Sequence, residues 1–314
     1  MDVICLGVLT LDVYASSVSQ LPGEGGFLML ENAEIHPAGT AHNTAIDLAK
    51  LGFSVAIVGR LGQDFAGRIV EESLLDHGVN TALLKKDDVA HTPVCFFIKG
   101  DAGGMRYLYY GGTNGEACYE DIPLDRLAGA RVLHLGGTYL LPKLDGEPTA
   151  KLLAEAKKAG LTTTLDPTPA LPPNALEVLE GSFPSLDYFL PNLEQAHVIS
   201  RRDNLREMAG FFLDRGVRAV GIKMSAKGCY VRSRDEEHTV PAFPVKEADP
   251  TGAGDAFVAG FIAGILKGWE LRKTAEFANA MGALVVQSMG STSGARSLDD
   301  TMRFIGEVRD RCDE

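Results

Sequence analysis

The chain has 314 residues, of which 45% are hydrophobic and 23% are charged. These are the proportions of a folded protein that is large enough to bury a core. Thirty Lys and Arg residues against 42 Asp and Glu residues give a net charge of −12, and such a field repels phosphate backbones and anionic lipids. The basic pairs Lys85-Lys86 and Arg201-Arg202 are each followed directly by an Asp. We therefore expect no nucleic acid and no membrane among the partners of this protein.

The cysteines and the first residues bear on the compartment. Five scattered cysteines show neither a CxxC pair nor the Cys/His spacing of a zinc site, so we expect reduced thiols. Asp2 stands where a signal peptide carries basic residues. The charge-free stretch 277–295 becomes too polar beyond Val286 to span a bilayer. These observations predict a cytoplasmic protein.

Short apolar runs alternate with helical patterns along most of the chain, which predicts parallel strands joined by crossover helices. The predicted strands are residues 3–7, 55–58, 132–135, 162–165, 188–190 and 219–223. Helical spacing is found at residues 43–51, 65–78, 148–160, 205–213, 255–267, 272–287 and 298–309. The sequence therefore predicts an α/β fold with a doubly wound sheet.

Two segments, 15–35 and 92–110, break this alternation. In the second, Val94, Phe96 and Ile98 alternate with other residues, which is typical of a half-buried strand. Both segments predict extra antiparallel strands that pair as a lid. The resulting division assigns residues 1–14, 36–91 and 111–314 to an α/β core and residues 15–35 and 92–110 to a β-lid.

The segment 249–255, Asp-Pro-Thr-Gly-Ala-Gly-Asp, precedes a strongly apolar helical pattern. Small residues let backbone N–H groups crowd around a guest, and the N-terminus of a helix favours an anion. The Asp255 carboxylate could take a proton from a hydroxyl that attacks phosphorus. Alternatively, Asp255 is only a helix N-cap and the glycines only turn the chain. The sequence lacks both the Gly-Lys pair of a Walker A loop and the third glycine of a dinucleotide fingerprint.

Two further motifs lie nearer the N-terminus, Ala-Gly-Thr-Ala-His-Asn at 38–43 and Gly-Arg-Leu-Gly-Gln-Asp at 59–64. Together with residues 249–255, they resemble the ribokinase-like (PfkB) family of carbohydrate kinases over essentially the whole chain. The resemblance implies a three-layer α/β/α fold with a mostly parallel central sheet and a small β-sheet lid. It also implies an ATP-dependent kinase that transfers the γ-phosphoryl group to a hydroxymethyl group of a small sugar or sugar-like alcohol.

The resemblance assigns roles to residues of the catalytic and acceptor sites. It makes Asp255 the general base. It assigns the anion hole for the transferring phosphoryl group to Gly252, Ala253 and Gly254. It assigns the acceptor sugar to Asp12, Gly39 and Asn43. From the residues alone, Asp12 also fits a turn and Asn43 also fits a helix N-cap.

A nucleotide site is implied by weaker motifs. Residues 223–228 resemble a family turn between two strands, with Ser225 in place of a glycine, although a plain β-turn explains the same letters. Asn279 matches a position beside adenine in relatives, and it also fits a helix-face amide bonded to backbone. The predicted nucleotide residues are Asn192, Lys223, Ser225, Lys227, Gly228 and Asn279.

Two cations are implied by the resemblance. A monovalent cation, K⁺ in most relatives, is assigned to Asp249, Thr251, Val285, Ser288 and Gly290. Residues 191–196 resemble a PNxxE segment near Mg²⁺, but Gln195 stands where Glu is usual. A neutral amide supplies less charge, so we predict a weaker dependence on Mg²⁺ than in relatives.

The acceptor and the assembly remain open at this stage. Gly136-Gly137 replace an acidic residue of ribokinase itself, which disfavours ribose, and 39–41 lacks a Lys or Arg for a phosphorylated sugar. The dense aromatic patch Tyr107, Tyr109 and Tyr110 fits a lid core or the contact of a homodimer formed through the lid. The same patch could stack a base, so a nucleoside kinase is an alternative. A catalytically silent sugar or nucleotide sensor is another.

Overall fold

The structure, a computed structural model, describes residues 1–15, 18, 20–100, 105–127 and 129–313. Its strands are β1 (Val3–Gly7), β2 (Thr10–Ala15), β3 (Ala33–Ala38), β4 (Val55–Gly62), β5 (Asn80–Asp87), β6 (Val94–Lys99), β7 (Met105–Tyr110), β8 (Val132–Thr138), β9 (Thr162–Pro167), β10 (Tyr188–Phe189), β11 (Ala219–Lys223), β12 (Cys229–Ser233) and β13 (Glu237–Val240). Its α-helices are α1 (Thr40–Lys50), α2 (Phe65–Asp76), α3 (Leu124–Leu127), α4 (Glu147–Lys158), α5 (Ala175–Glu180), α6 (Leu193–Ser200), α7 (Leu205–Leu213), α8 (Ala253–Lys267), α9 (Leu271–Val285) and α10 (Leu298–Asp313).

In this described part of the chain, nine strands form a large sheet in the order β13-β12-β11-β10-β9-β8-β1-β4-β5. All neighbouring pairs are parallel except β11 with β12 and β12 with β13. The five residues of β1 are all buried, as expected for a strand that is covered on both faces of a parallel sheet. The large sheet is therefore mostly parallel, as predicted.

Alternate residues of β1 pack into different apolar clusters, which shows that the fold has three layers. Ile4 belongs to a cluster with Leu152 of α4 and Phe212 of α7. Cys5 belongs to a cluster with Ile46 of α1 and Phe261 of α8. Since successive side chains of a strand point to opposite faces, helices cover both faces of the sheet.

Four strands form a smaller sheet in the order β3-β2-β6-β7. The strands of this sheet do not match the predicted lid boundaries. β2 (Thr10–Ala15) lies almost wholly before the predicted range 15–35, and β3 (Ala33–Ala38) extends past the end of that range. The pairing of β2 with β6 is parallel, not antiparallel as expected. The chain passes from β1 into β2 through Val8 and Leu9, and Gly7, the last residue of β1, has a φ of 146° at this change of sheet. The division into a core and a moving lid stays a prediction.

Two helices begin two or three residues earlier than predicted. The N-cap of α8 is Gly252 and that of α1 is Gly39, both with positive φ and neither with a side-chain cap. Asp255 and Asn43 therefore lie inside the first turns, and the N-cap interpretation of each is wrong. Asp12 lies within β2 and not in a turn. The sequence prediction also lacked β5 and α6, and no helix of the described ranges is long and apolar enough to cross a membrane.

Candidate active site

A cavity of about 680 Å³ lies where strands β9, β10 and β11 end. Asp166 near the end of β9, Lys223 at the end of β11 and Asp255 in the first turn of α8 all line it. The carboxyl ends of parallel strands share one edge, which is where open α/β sheets bind ligands. The cavity thus brings together a cation, two carboxyl groups and the N-terminus of a helix.

A second cavity of about 700 Å³ lies at the opposite ends of the same strands. Its lining includes Thr162, Ala219 and Trp269, and it includes none of the predicted site residues. Because the chemistry-bearing residues border the first cavity, that cavity is the candidate active site.

The turn at the start of α8 is shaped to receive an anion. Gly252 has a φ of 82°, and a Cβ at this residue would lie 2.0 Å from the Ser291 carbonyl oxygen, so only glycine fits. The amides of Gly254 and Asp255 donate to no backbone carbonyl in the described ranges. Free N–H groups at the positive end of a helix bind anions such as phosphate. Ala253 is less available, because its N–H donates to the Pro250 carbonyl at 3.3 Å.

Asp255 is held in place by Asn43. The Asn43 Nδ2 donates to Asp255 Oδ2 at 2.8 Å, and Asn43 Oδ1 accepts from the Ser291 hydroxyl at 3.1 Å. Burial raises the pKa of Asp255 to about 7, the Asn43 hydrogen bond opposes this rise, and the charge of Asp166 adds to it. A carboxyl group with a pKa near neutrality can both accept and return a proton at physiological pH.

Asp12 and Gly39 belong to the predicted acceptor site, although neither lines the 680 Å³ cavity. Asp12 is 5% exposed, accepts from the Thr10 hydroxyl at 2.8 Å, and has a pKa that burial raises to about 7. The charge of Asp12 also raises the pKa of Asp255, by less than burial does. Gly39 has a φ of 114°, and a Cβ there would lie 2.3 Å from the Val8 carbonyl oxygen.

Lys223 and Asp166 form a buried ion pair beside the anion-binding turn. Lys223 Nζ lies 2.6 Å from Asp166 Oδ1. It also lies 3.6 Å from the point that a Gly254 Cβ would occupy. Burial raises the pKa of Asp166, and the Lys223 ammonium opposes that rise. Asp166 is absent from the predicted site, although an acidic residue directly after the predicted strand 162–165 was a usable signal.

The predicted nucleotide residues separate into two groups. Those that line the cavity are Asn192, Lys223, Ser225, Gly228 and Asn279, whereas Lys227 is exposed and does not. Asn279 Nδ2 donates to the carbonyls of Val240 and Pro241 at 3.0 and 3.1 Å. The Asn279 side-chain amide is therefore bonded to backbone, as the helix-face interpretation expected. The residue also lines the cavity.

Gln195 has a structural reason for being an amide. Its Oε1 accepts from the Asn192 N–H at 2.7 Å, and the Gln195 N–H donates to Asn192 Oδ1 at 2.8 Å, which is a capping box for α6. Its Nε2 donates to the Pro167 carbonyl at 2.9 Å. A glutamate could not make that last hydrogen bond, because an ionised carboxylate only accepts.

The residues predicted for a monovalent cation lie on adjoining turns. Asp249 Oδ1 accepts from the Thr251 N–H at 3.0 Å, and Asp249 Oδ2 accepts from the Gly290 N–H at 3.1 Å. The Val285 carbonyl accepts from the Ser288 N–H at 3.2 Å. Over the described ranges no group of three or more His, Cys, Asp or Glu side chains is placed to hold a metal ion.

The layered fold places free amides at the start of α8 beside the Asp255 carboxyl group, an arrangement that suits phosphoryl transfer to an alcohol. The model of the pfkB family carbohydrate kinases matches residues 2–298, and the chain belongs to this family. The predicted family and the predicted enzyme class are thereby confirmed.

Individual proteins agree with this assignment. The chain is 28% identical over 253 residues to an uncharacterized sugar kinase of Archaeoglobus fulgidus, which is 80% of this chain and 99% of that protein. The ribokinase of Arabidopsis thaliana, solved with ribose and ATP, superposes with a TM-score of 0.86 at 22% identity, covering 97% and 98% of the two chains. A nucleoside kinase of Methanocaldococcus jannaschii gives a TM-score of 0.82 at 23% identity, covering 98% of each chain. The ribokinase-like fold is therefore confirmed.

Proposed function

We propose that this protein is an ATP-dependent kinase that transfers the γ-phosphoryl group to a hydroxymethyl group of a small sugar or sugar-like alcohol. The observation that carries the proposal is the position of Asp255, whose carboxyl group belongs to the same first turn of α8 as the free amides of Gly254 and Asp255. A base and an anion site that share one turn can act on both partners of a phosphoryl transfer.

Asp255 is the general base in this proposal. The acceptor hydroxyl gives its proton to the Asp255 carboxylate as its oxygen attacks phosphorus, and Asn43 fixes the direction of the receiving oxygen. Free amides at Gly254 and Asp255, with the Lys223 ammonium, offset the charge on the transferring group. Such donors contribute most when they are fixed in advance and shielded from water.

ATP fits the cavity beyond the turn. Phe243 and Val245 line one part of it, with Asn279 nearby, which gives an apolar slot for a base. Mg²⁺ supplies charge neutralisation on the phosphate oxygens when bound. Gln195 is engaged by Asn192 and by the Pro167 carbonyl, so in this proposal Asp166 assists Mg²⁺, and the phosphates and water provide the other ligands.

K⁺ fits the turns around Asp249, because the Asp249 carboxylate already accepts a hydrogen bond from the Gly290 N–H. We assign this cation a structural role, because it would fix the loop whose Ser291 carbonyl packs on Gly252. The predicted lid belongs to the same proposal, since its closure over the acceptor keeps water away from the phosphoryl group. The predicted homodimer belongs to it as well, because it is expected to form through the lid.

A nucleoside acceptor is the second candidate, and the inner face of the smaller sheet favours it. Tyr14 stacks on Phe97 with centroids 4.4 Å apart, and Phe97 meets Tyr107 edge-on at 5.2 Å. Strand alternation puts Tyr14 on the same face as Asp12. Burial raises the pKa of Tyr14, and Thr251, which precedes α8, opposes that rise.

The test is ADP release in the presence of Mg-ATP and a panel of acceptors: D-ribose, D-fructose, 2-dehydro-3-deoxygluconate, adenosine and cytidine. We expect one sugar to give turnover well above the rate without acceptor, and phosphorylation at its hydroxymethyl group by NMR. A nucleoside as the best acceptor would select the second candidate. ATP that binds without acceptor-dependent ADP release would overturn the proposal in favour of a silent sensor.

A further inference from the structure

A connecting segment without regular structure packs against the anion-binding turn. Residues 286–297, which join α9 to α10 and are all described by the structure, contain no helix or strand. A Cβ on Gly252 would lie 2.0 Å from the Ser291 carbonyl oxygen, so the two backbones are in contact. The Ser291 hydroxyl also donates to Asn43 Oδ1 at 3.1 Å. The segment therefore touches both the turn at the start of α8 and the residue that holds Asp255.

The contact with Asn43 decides which end of its amide faces the general base. Asn43 Oδ1 lies 3.1 Å from the Ser291 hydroxyl and 3.1 Å from His42 Nδ1. With its oxygen engaged on that side, the amide presents Nδ2 to Asp255 Oδ2. Displacement of the segment would withdraw one of the two groups that hold the amide oxygen.

Lys50 holds this segment from α1. Its Nζ donates to the Thr292 carbonyl at 2.7 Å, and the same carbonyl accepts from the Ala295 N–H at 3.1 Å. Lys50 follows Asn43 by two helical turns, so one face of α1 contacts both Ser291 and Thr292. A hydrogen bond from an ammonium group is stronger than one between neutral groups. Lys50 is thus a strong anchor for a segment that lacks a ladder of its own.

Asp47 does not compete for the Lys50 ammonium. It lies three residues earlier on α1, a spacing at which opposite charges can pair on a helix. Its side chain is fully buried, and neither carboxyl oxygen has a hydrogen-bond partner among the described residues. Burial raises the pKa of Asp47 well above its usual value, although the charge of Lys50 opposes that rise. The uncharged acid is therefore favoured, and it leaves the ammonium to Thr292.

We propose that Lys50 is a positioning residue of the phosphoryl-transfer site. Through the Thr292 carbonyl, Lys50 keeps the segment 286–297 in place, so that Ser291 closes on Gly252 and orients Asn43. The inference rests on the proposed function and adds to it a residue that does not line the 680 Å³ cavity. Its loss should act on the chemical step, because a displacement of about 1 Å at a catalytic group can slow a reaction about a hundredfold.

Steady-state kinetics with the best acceptor tests this role. Lys50→Met keeps a long side chain and removes its donor, so kcat should fall about tenfold while both KM values stay within about twofold of the parent. Lys50→Arg can still donate to a carbonyl and should recover most of kcat. A folded Lys50→Met protein with the kcat of the parent would overturn the proposal. A loss in Lys50→Arg as large as that in Lys50→Met would overturn it as well.

Two variants separate this role from other effects of a lost charge. Lys158→Met removes a lysine from the last turn of α4, where it pairs with Glu155 on the surface, and it should leave kcat unchanged. Asp47→Asn removes the other group that Lys50 could hold, and kcat should stay within about twofold of the parent. A loss in Asp47→Asn equal to that in Lys50→Met would show that Lys50 acts through Asp47, and it would overturn the role assigned to Thr292.

Hydrogen exchange separates this inference from the proposed function, because it needs neither substrate nor turnover. In Lys50→Met, peptides from residues 286–297 should take up deuterium at least about threefold faster than in the parent, while peptides from β8 and α4 stay unchanged. Lys50→Gln, whose side chain is shorter and uncharged, gives the same comparison if Lys50→Met does not fold. A parent without ADP release that shows this exchange pattern would overturn only the kinase. Equal uptake by residues 286–297 in the variant and the parent would overturn the positioning role.

Discussion

Asn43 Nδ2 donates to Asp255 Oδ2 at 2.8 Å, although the two residues are 212 positions apart in the chain. The hydrogen bond joins the first turn of α1, where the acceptor is expected, to the first turn of α8, where the phosphoryl group is expected. It stabilises the ionised form of Asp255, whose pKa burial raises to about 7. The pair therefore influences the pH at which the Asp255 carboxylate forms.

The first prediction concerns the pH profile of the parent and of Asn43→Leu. The base must be ionised, so kcat/KM of the parent should fall about tenfold per pH unit below pH 7. Loss of the Asn43 donor removes a group that favours the carboxylate, so the pKa rises and the acidic limb of Asn43→Leu moves to higher pH. Initial rates from pH 5 to 9 measure both limbs. The exposed Asn174→Leu is the matched control, and an unmoved limb in Asn43→Leu contradicts the assigned role.

The buried ion pair of Lys223 and Asp166 gives the second prediction. Lys223→Met leaves the Asp166 carboxyl group buried and unpaired, so the free energy of unfolding should fall by ~3–5 kcal/mol. The double variant Lys223→Met with Asp166→Asn should regain most of this loss, because no uncompensated charge remains. Urea denaturation measures all three proteins. Equal stability of the parent and Lys223→Met would show that the pair is open to water.

Local motifs could be assigned from the sequence, whereas contacts that depend on topology could not. The glycine turn ending in Asp255 is contiguous, and the apolar stripe that follows it marks the helix. Asp166 was missed because its partner comes from β11, two strands away in the sheet, and only the strand order brings them together. The start of the smaller sheet was misplaced because only Val8 and Leu9, both apolar, connect β1 to β2, so that Gly7 was the one local signal of the change of sheet. Lys227 was included because it follows Ser225 in a motif, but its side chain is exposed.

Ser225 gives the third prediction, on stability. It has a φ of 52°, in the left-handed region that glycine occupies without strain. Ser225→Gly should raise the free energy of unfolding by about 1 kcal/mol, because the relief of backbone strain outweighs the conformational entropy that glycine adds to the unfolded chain. Thermal denaturation measures the change. Ala226→Gly, at the exposed next residue of the same turn, which has no positive φ, should be neutral or slightly destabilising, and the same effect at both positions would refute the strain argument.

The fourth prediction concerns the expected homodimer. Register places Ile35, Val13, Phe96 and Leu108 in one row across the smaller sheet, on the face opposite Asp12. Ile35, Phe96 and Leu108 are exposed, and a row of exposed apolar side chains on a sheet is typical of an interface. Light scattering should give twice the chain mass for the parent and a monomer for Leu108→Lys. Lys85→Leu changes a charge on β5 of the large sheet, away from this row, and this variant should stay dimeric. A monomeric parent would rule out the proposed interface.

The role of Asp255 as general base is tested most directly by steady-state phosphoryl transfer with Asp255→Asn. This variant keeps the shape of the side chain and removes its ability to take a proton. With the best acceptor and saturating Mg-ATP, we predict a loss of at least ~100-fold in kcat, an unchanged melting temperature and retained ATP binding. A folded Asp255→Asn protein whose kcat lies within twofold of the parent would contradict the account.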